Sequence, residues 1–419
     1  MSREAARGER GPQPGSHARQ PRMGPERGSR VGVPEGAPQA ERRSGAGGAP
    51  AATKVVLVHD WLTGMRGGEK VLELLCEAYP TADLLTLFHV PGSVSPAIER
   101  LRPRTSALQH VPGIRRFYRY CLPLFPAVIE QFDLDQYDLV ISTSHCAAKA
   151  VVKTGRARHL CYCFTPMRYA WDQFDAYFGE GRVGRMKSRA LRPALNALAR
   201  WDASTAGRVD RYVAISQHVA SRIRRYYNRE ADVIYPPVDT GFYSPDDTVR
   251  PDNFLLIVSA LVPYKRIDVA IEASRLSNTP LRIVGSGPER DALAAVVRRT
   301  GADVQLLGTL SDEDVRNLYR RAAAVLLPGE EDFGIAPVEA QACGTPVIAL
   351  ARGGALETVV DGVTGVLVDE PTPDALAAGI ARAAQLPFDR AAIRAHAVKF
   401  DRAVFSRAMQ STIESLAHG

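Results

Sequence analysis

No stretch of this 419-residue chain approaches the ~20 apolar residues that a membrane-spanning helix needs, so no such helix is expected. Its six cysteines include no Cys-x2-Cys pair and no even framework in a small domain, which points away from a thiolate metal site and from a disulfide scaffold. All six read as reduced, buried thiols of a cytosolic protein, with Cys161 and Cys163 two apart on an apparent strand. Residues 1–50 have almost no large apolar side chains and are rich in Gly, Pro, Ser and Arg. Such a segment cannot bury enough surface to offset its ordering entropy, so a disordered tail is expected. It also lacks the apolar core of a secretion signal. Nine arginines against five glutamates give it a charge of +4, leaving +3 of the chain's +7 for the remainder. We expect a solvated extension here and no nucleic-acid partner.

What remains is 45% hydrophobic and 24% charged over the whole chain and long enough for two ordinary domains. Short apolar runs at 55–58, 84–90, 138–143, 158–164 and 211–215 alternate with helical stretches, and 254–258, 281–284, 304–307 and 324–327 do the same further on. This is the pattern of α/β domains built on parallel sheets, with ligands at the carboxyl ends of the strands. We place the first domain at 51–245, the second at 246–388 and a final segment at 389–419, a single helix from Arg390 to about Ala417.

Residues 324–367 organise the chain. Ala324 to Pro328 is a short apolar run closed by proline, followed by an acidic, glycine-containing loop. Pro337 suits a first helical turn, and Gly344 suits the residue that ends the helix. Thr345 to Leu350 is a second strand, and Gly353-Gly354 a tight turn before the helix expected at 355–360. Loop amides at a helix start, with the positive end of the helix dipole, form a phosphate site. Glu331 and Glu339 bracket the first such loop.

The Glu-x7-Glu around Phe333-Gly334, then Glu-Ala-x-Ala-Cys-Gly-Thr-Pro-Val-Ile-Ala, Gly-Gly, Glu and Gly-x-Thr-Gly, resembles the donor-site signature of retaining glycosyltransferase family 4. The resemblance covers residues 54 to about 410. It implies the GT-B fold, two Rossmann-like doubly wound domains facing across a cleft, with the last helix crossing back to the first domain. It further implies that Glu331 contacts the donor hexose and Glu339 the ribose hydroxyls. Asp332 and Phe333 belong to the donor loop, and the amides of Gly334 and Ile335 meet the diphosphate. Lys265 neutralises that diphosphate, and Arg266 beside it shares the charge. Ala260 departs from the arginine that the family carries there. The Gly308–Ser311 turn, with Leu310, would pack the nucleobase. Gly67-Gly68 matches a loop that closes over the reacting centre, and His145 is the candidate for the active-site histidine.

Phe164-Thr165-Pro166-Met167-Arg168-Tyr169-Ala170-Trp171-Asp172 resembles a segment of a family 4 subgroup associated with mannosyl transfer in polysaccharide assembly, with Phe164 in place of its histidine. Arg168, Tyr169, Trp171 and Asp172 are the acceptor candidates, since such side chains stack a sugar and bind its hydroxyls. From Gly181 to Trp201, Leu191, Leu195, Leu198 and Trp201 recur at helical spacing among six basic residues, a pattern suited to an anionic membrane surface or to packing on the protein's own sheet. The mixed basic and aromatic segment 114–125 is similar.

The resemblance implies a hexosyltransferase, mannose from GDP-mannose being the donor expected, with no cofactor beyond that substrate and a sugar or lipid-linked glycan as acceptor. Asp133-Leu134-Asp135 lies in the first domain, away from the donor half, so no metal ion is expected. A same-fold epimerase or a non-catalytic scaffold subunit are the alternatives.

Overall fold

Short buried runs of Val, Ile and Leu, each followed by a loop and a helix, build two parallel sheets in the computed structural model. The structure describes residues 53–114, 118–171, 174, 178, 179, 181 and 184–418. The expectations for residues 1–50, for positions 115–117 of the basic and aromatic segment, for Asp172 and for the Tyr169 side chain lie outside the described residues. Residues 52–419 form one compact unit that holds both sheets.

The first sheet has seven strands, β1 (Val55–His59), β2 (Asp83–Thr86), β3 (Arg104–Thr105), β4 (Leu139–Ser144), β5 (Arg158–Cys163), β6 (Arg211–Ala214) and β7 (Ala231–Val233). Their order is β3-β2-β1-β4-β5-β6-β7, every pair parallel. The second sheet has β8 (Leu255–Val258), β9 (Leu281–Val284), β10 (Val304–Gly308), β11 (Ala324–Leu327), β12 (Val347–Leu350) and β13 (Gly365–Val368), ordered β10-β9-β8-β11-β12-β13 and also parallel. Strand order reverses between β1 and β4 in one sheet and between β8 and β11 in the other. A crevice opens beyond the carboxyl ends of the strands at each such switch point.

Nine helices carry the argument, here numbered α1 (Gly67–Ala78), α2 (Arg168–Trp171), α3 (Arg185–Ser204), α4 (Gln217–Tyr227), α5 (Asp312–Arg321), α6 (Ile335–Ala342), α7 (Ala355–Thr358), α8 (Arg390–Ala397) and α9 (Arg402–His418). The apolar stripe of α3 turns inward: Leu195 and Leu198 are buried in the first-lobe core, with Trp201 packed against it. That stripe is therefore spent on the protein's own lobe, and Lys187, Arg189, Arg192 and Arg200 lie exposed. Among the described residues no helix is long and apolar enough to cross a membrane. Five cysteines are buried, Cys121 is half-buried, and none is in a disulfide.

The C-terminal segment is two helices and not one. The Val238 amide donates to the Phe400 carbonyl and the Arg402 amide to the Val238 carbonyl, a short bridge where the α-helix gives way to a 3-10 turn at Val398–Phe400. Before the break α8 stays with the second lobe, where Arg394 donates to the Ala342 carbonyl at 2.7 Å. After it, α9 crosses to the first lobe, with Phe405 edge-on to Tyr162 and buried with Met409 and Ile413. The crossing thus begins near Asp401, later than the expected 389.

Candidate active site

Both switch points open onto one cavity of about 490 Å3 between the lobes. The second-lobe wall is built from glycines that let backbone meet backbone. A Cβ on Gly329 would stand 2.3 Å from the Tyr264 carbonyl oxygen, and one on Gly354 2.3 Å from the Phe333 Cα. These approaches bring the loop after β11 against residues 264–265 on one side and against the turn before α7 on the other. Gly354 donates to the Glu331 carbonyl at 2.7 Å. Gly334, at φ 90°, caps α6, a backbone region that costs glycine nothing. The Glu331 carboxylate pairs there with the Lys265 ammonium, both nearly buried at 12% and 15% exposure. Burial first, then the neighbouring Arg168 charge, pulls Lys265 down to about 7, and the Asp332 carboxylate opposes this. Helix dipole, loop amides and one buried cation together make an anion site.

The first-lobe wall rests on Asp60, directly after β1. Its carboxylate, fully buried, accepts the amides of His145, Cys146, Ala147 and Ala148 at 2.6 to 3.0 Å and pairs with His145 Nδ1 at 3.0 Å. Burial alone would raise its pKa; the His145 ring and amide more than offset that and hold it at about 2. His145 is so oriented that Nε2 is the ring nitrogen left for the cavity, and Trp61 stands edge-on to it at 4.4 Å. His59 is buried, pairs with Thr143 Oγ1 at 2.7 Å and is pushed down to about 4 by burial, so it is neutral at pH 7. Glu69 lines the cavity, caps α1 through the Arg66 amide at 3.1 Å, and is raised by burial. Phe164 fills the space beside Gly68, where a Cβ would meet its ring at 3.3 Å.

The structure brings Gly67, Gly68, His145, Arg168, Lys265, Glu331, Asp332, Phe333, Gly334 and Ile335 to this one cavity. Gly67 lies against Ile335 across the cleft. Phe333 also stacks on Tyr235 and meets Phe400 at the lobe junction. Other candidates fall elsewhere. Glu339 lines a second interlobe cavity of about 300 Å3, bound by Lys70 Nζ at 2.9 Å and Tyr319 Oη at 3.2 Å. Arg266 faces Asp268 at 3.5 Å, is 42% exposed, and is absent from the cavity wall. Leu310 packs on the core. Trp171 is not in the first cavity either: its indole donates to the buried Asp202 at 2.8 Å and stacks on Tyr226 at 4.6 Å, and it lines a separate cavity beside Arg189, Arg192 and Arg200. A buried acceptor 31 residues away captured it.

Sequence reasoning missed His59, Asp60, Glu69 and Arg222. Asp60 carried a signal, a carboxylate at the end of the first buried strand. Arg222, on α4, reaches Asp332 Oδ1 at 2.8 Å across the cleft. A second Asp-x-Asp, Asp312-Glu313-Asp314, opens α5 in the donor half, where the Asp314 amide donates to the Ser311 hydroxyl at 3.1 Å. Among the described residues no group of three His, Cys, Asp or Glu side chains is set to hold a metal ion.

Two parallel-sheet lobes that share a site at facing switch points define the GT-B class of fold. Two family models match the chain, one per lobe: Glycosyltransferase Family 4 over residues 65–242 and Glycosyl transferases group 1 over residues 246–400. The chain belongs to the glycosyltransferases whose two lobes these models describe. An uncharacterised glycosyltransferase of Methanocaldococcus jannaschii is 31% identical over 170 residues, 40% of this chain and 47% of its own length. The D-inositol 3-phosphate glycosyltransferase of Mycolicibacterium gilvum is 31% identical over 215 residues, 46% of this chain and 48% of its own. The chain thus spans about half the length of the curated relatives it matches. Among solved structures, Anabaena HepE in complex with UDP-glucose matches at TM-score 0.64 and 19% identity, over 86% of this chain and 99% of that one. The apo lipopolysaccharide outer core galactosyltransferase WaaB matches at 0.59 and 16%, over 87% and 99%.

Proposed function

We propose that the protein transfers a hexose from a nucleoside-diphosphate sugar to a hydroxyl of a sugar or lipid-linked glycan with retention of configuration, and that its donor is GDP-mannose. The observation that carries this reading is the buried Lys265–Glu331 pair beside the α6 N-terminus, in a cavity roofed by the Gly67-Gly68 turn and His145. The bond from the sugar C1 to the phosphate oxygen breaks, the acceptor oxygen attacks from the same face, and its proton leaves on the departing phosphate. Charge grows on the diphosphate as that bond breaks, so fixed positive groups stabilise the transition state more than the ground state. Glu331 faces the sugar as it gains positive charge. Contact with an anionic membrane enters this reading as an electrostatic one, through the exposed bases of α3, and salt should release it.

The test is nucleotide release from a panel of GDP, UDP and ADP sugars, uridine donors included because the Anabaena neighbour was crystallised with UDP-glucose. Turnover with GDP-mannose and a product of unchanged anomeric configuration by NMR is expected. Release of an altered sugar would make the protein an epimerase, and no binding of any donor would make it a scaffold.

A further inference from the structure

A diphosphate brings at least two negative charges into the cavity, yet the second-lobe wall offers a single cationic side chain, Lys265. Ala260 puts no charge there, and Arg266 is turned to Asp268 outside the cavity. The first lobe supplies the balance. Arg168 opens α2 and crosses the cleft to pair with Asp332 Oδ2, its guanidinium lying 5.2 Å from the centre of the Tyr264 ring, the residue before Lys265. The segment is held in place by Trp171 on Asp202 and Tyr226. Arg66, the other first-lobe arginine of the cavity, is exposed on the glycine turn.

Asp332 is arranged so that Arg168 can leave it. Its other oxygen, Oδ1, accepts from Arg222 Nη1 at 2.8 Å, with His218 Nε2 at 3.8 Å. A buried carboxylate stripped of its partners is costly, but this one keeps an arginine whichever way Arg168 turns. We propose that Arg168 is the second cation of the donor's diphosphate: on donor binding it exchanges the Asp332 carboxylate for phosphate oxygens, and Arg222 retains Asp332. The inference rests on the glycosyltransferase reading above and moves Arg168 from the acceptor, where the sequence placed it, to the donor. It also means that a first-lobe side chain reads the phosphates held by the second lobe.

Calorimetric titration of the full chain with GDP, UDP and ADP, and with the matching monophosphates, tests this. Arg168→Ala should weaken binding of the preferred diphosphate by roughly 10- to 150-fold, the range for one charge-assisted hydrogen bond. The monophosphate should change by less than about threefold, since a general loss of fold would weaken both alike. Arg168→Lys, which keeps the charge without the planar fork, should fall between and carries the test should the alanine variant not fold. An unchanged diphosphate affinity, or equal losses for mono- and diphosphate, would overturn the inference while leaving the wild-type reading intact. Wild-type protein that binds no nucleoside diphosphate would overturn both.

Discussion

On the second-lobe side of the cleft the groups facing the cavity come from residues 260–265 and 331–335, two loops at adjacent strand ends, and they act through backbone amides, one lysine, one glutamate and one aspartate. On the first-lobe side they come from β1, α1, β4, β5 and the turn into α2, and they act through a web of side-chain bonds centred on Asp60. The first arrangement binds whatever fits a rigid loop. The second must be assembled by long-range strand pairing before any of its groups is in place. One wall therefore depends on close backbone packing, the other on a buried ionic hub, and each should fail in its own way.

The largest effect should come from the backbone contact. Gly354→Ala drives a Cβ into the Phe333 backbone and must move the donor loop. A displacement of about 1 Å at a reacting centre costs on the order of 100-fold, so kcat/KM should drop by about that much while the first-lobe wall is untouched. Turnover within threefold of wild type would mean that the loop is not held by this approach.

The hub should show itself in acid. Asp60 has a folded pKa of about 2 against an ordinary 3.8, so the stability it confers is fully present above pH 3.8 and is lost as pH falls through 2. The difference amounts to about 2 kcal/mol. Urea unfolding between pH 5 and 2 should show this slope in wild type and a shallower one in Asp60→Asn. Equal slopes would place the acid sensitivity elsewhere.

The smallest effect separates two arginines, Arg266 assigned from the sequence to the donor and Arg168 to the acceptor. Arg266→Ala removes an exposed side chain paired only locally with Asp268, so kcat/KM should shift by no more than about 0.5 kcal/mol. A loss comparable to that expected of Arg168→Ala would bring Arg266 into the donor site and undo the contrast drawn between them.

These contrasts follow what could be read from the chain. The donor loop, α6 and the Gly353-Gly354 turn were legible because their chemistry is local, a strand, a loop and a helix in one run of sequence. Asp60 and His59 were not, because their roles exist only once β1 pairs with β4 in the register that sets His59 opposite Thr143. Arg222 escaped because its partner, Asp332, is 110 residues away in the other lobe. Trp171, read as a side chain that stacks an acceptor sugar, lies apart from the donor cavity, because Asp202, 31 residues away, binds its indole and holds it beside α3. The unbroken C-terminal helix failed because the pairing of Val238 with residues 400–402 is invisible in local propensity.

The central claim is that the cavity holds a reacting sugar over Glu331 while Glu339, in its separate cavity with Lys70, holds a part of the donor that does not change during reaction. Steady-state kinetics of Glu331→Gln and Glu339→Ala with the best donor test it most directly. Losing a charge-assisted hydrogen bond that strengthens in the transition state should lower the kcat of Glu331→Gln roughly 10- to 150-fold with little change in KM, whereas Glu339→Ala should chiefly raise donor KM and spare kcat. Equal effects on kcat and KM in both variants, or no effect in either, would contradict the account.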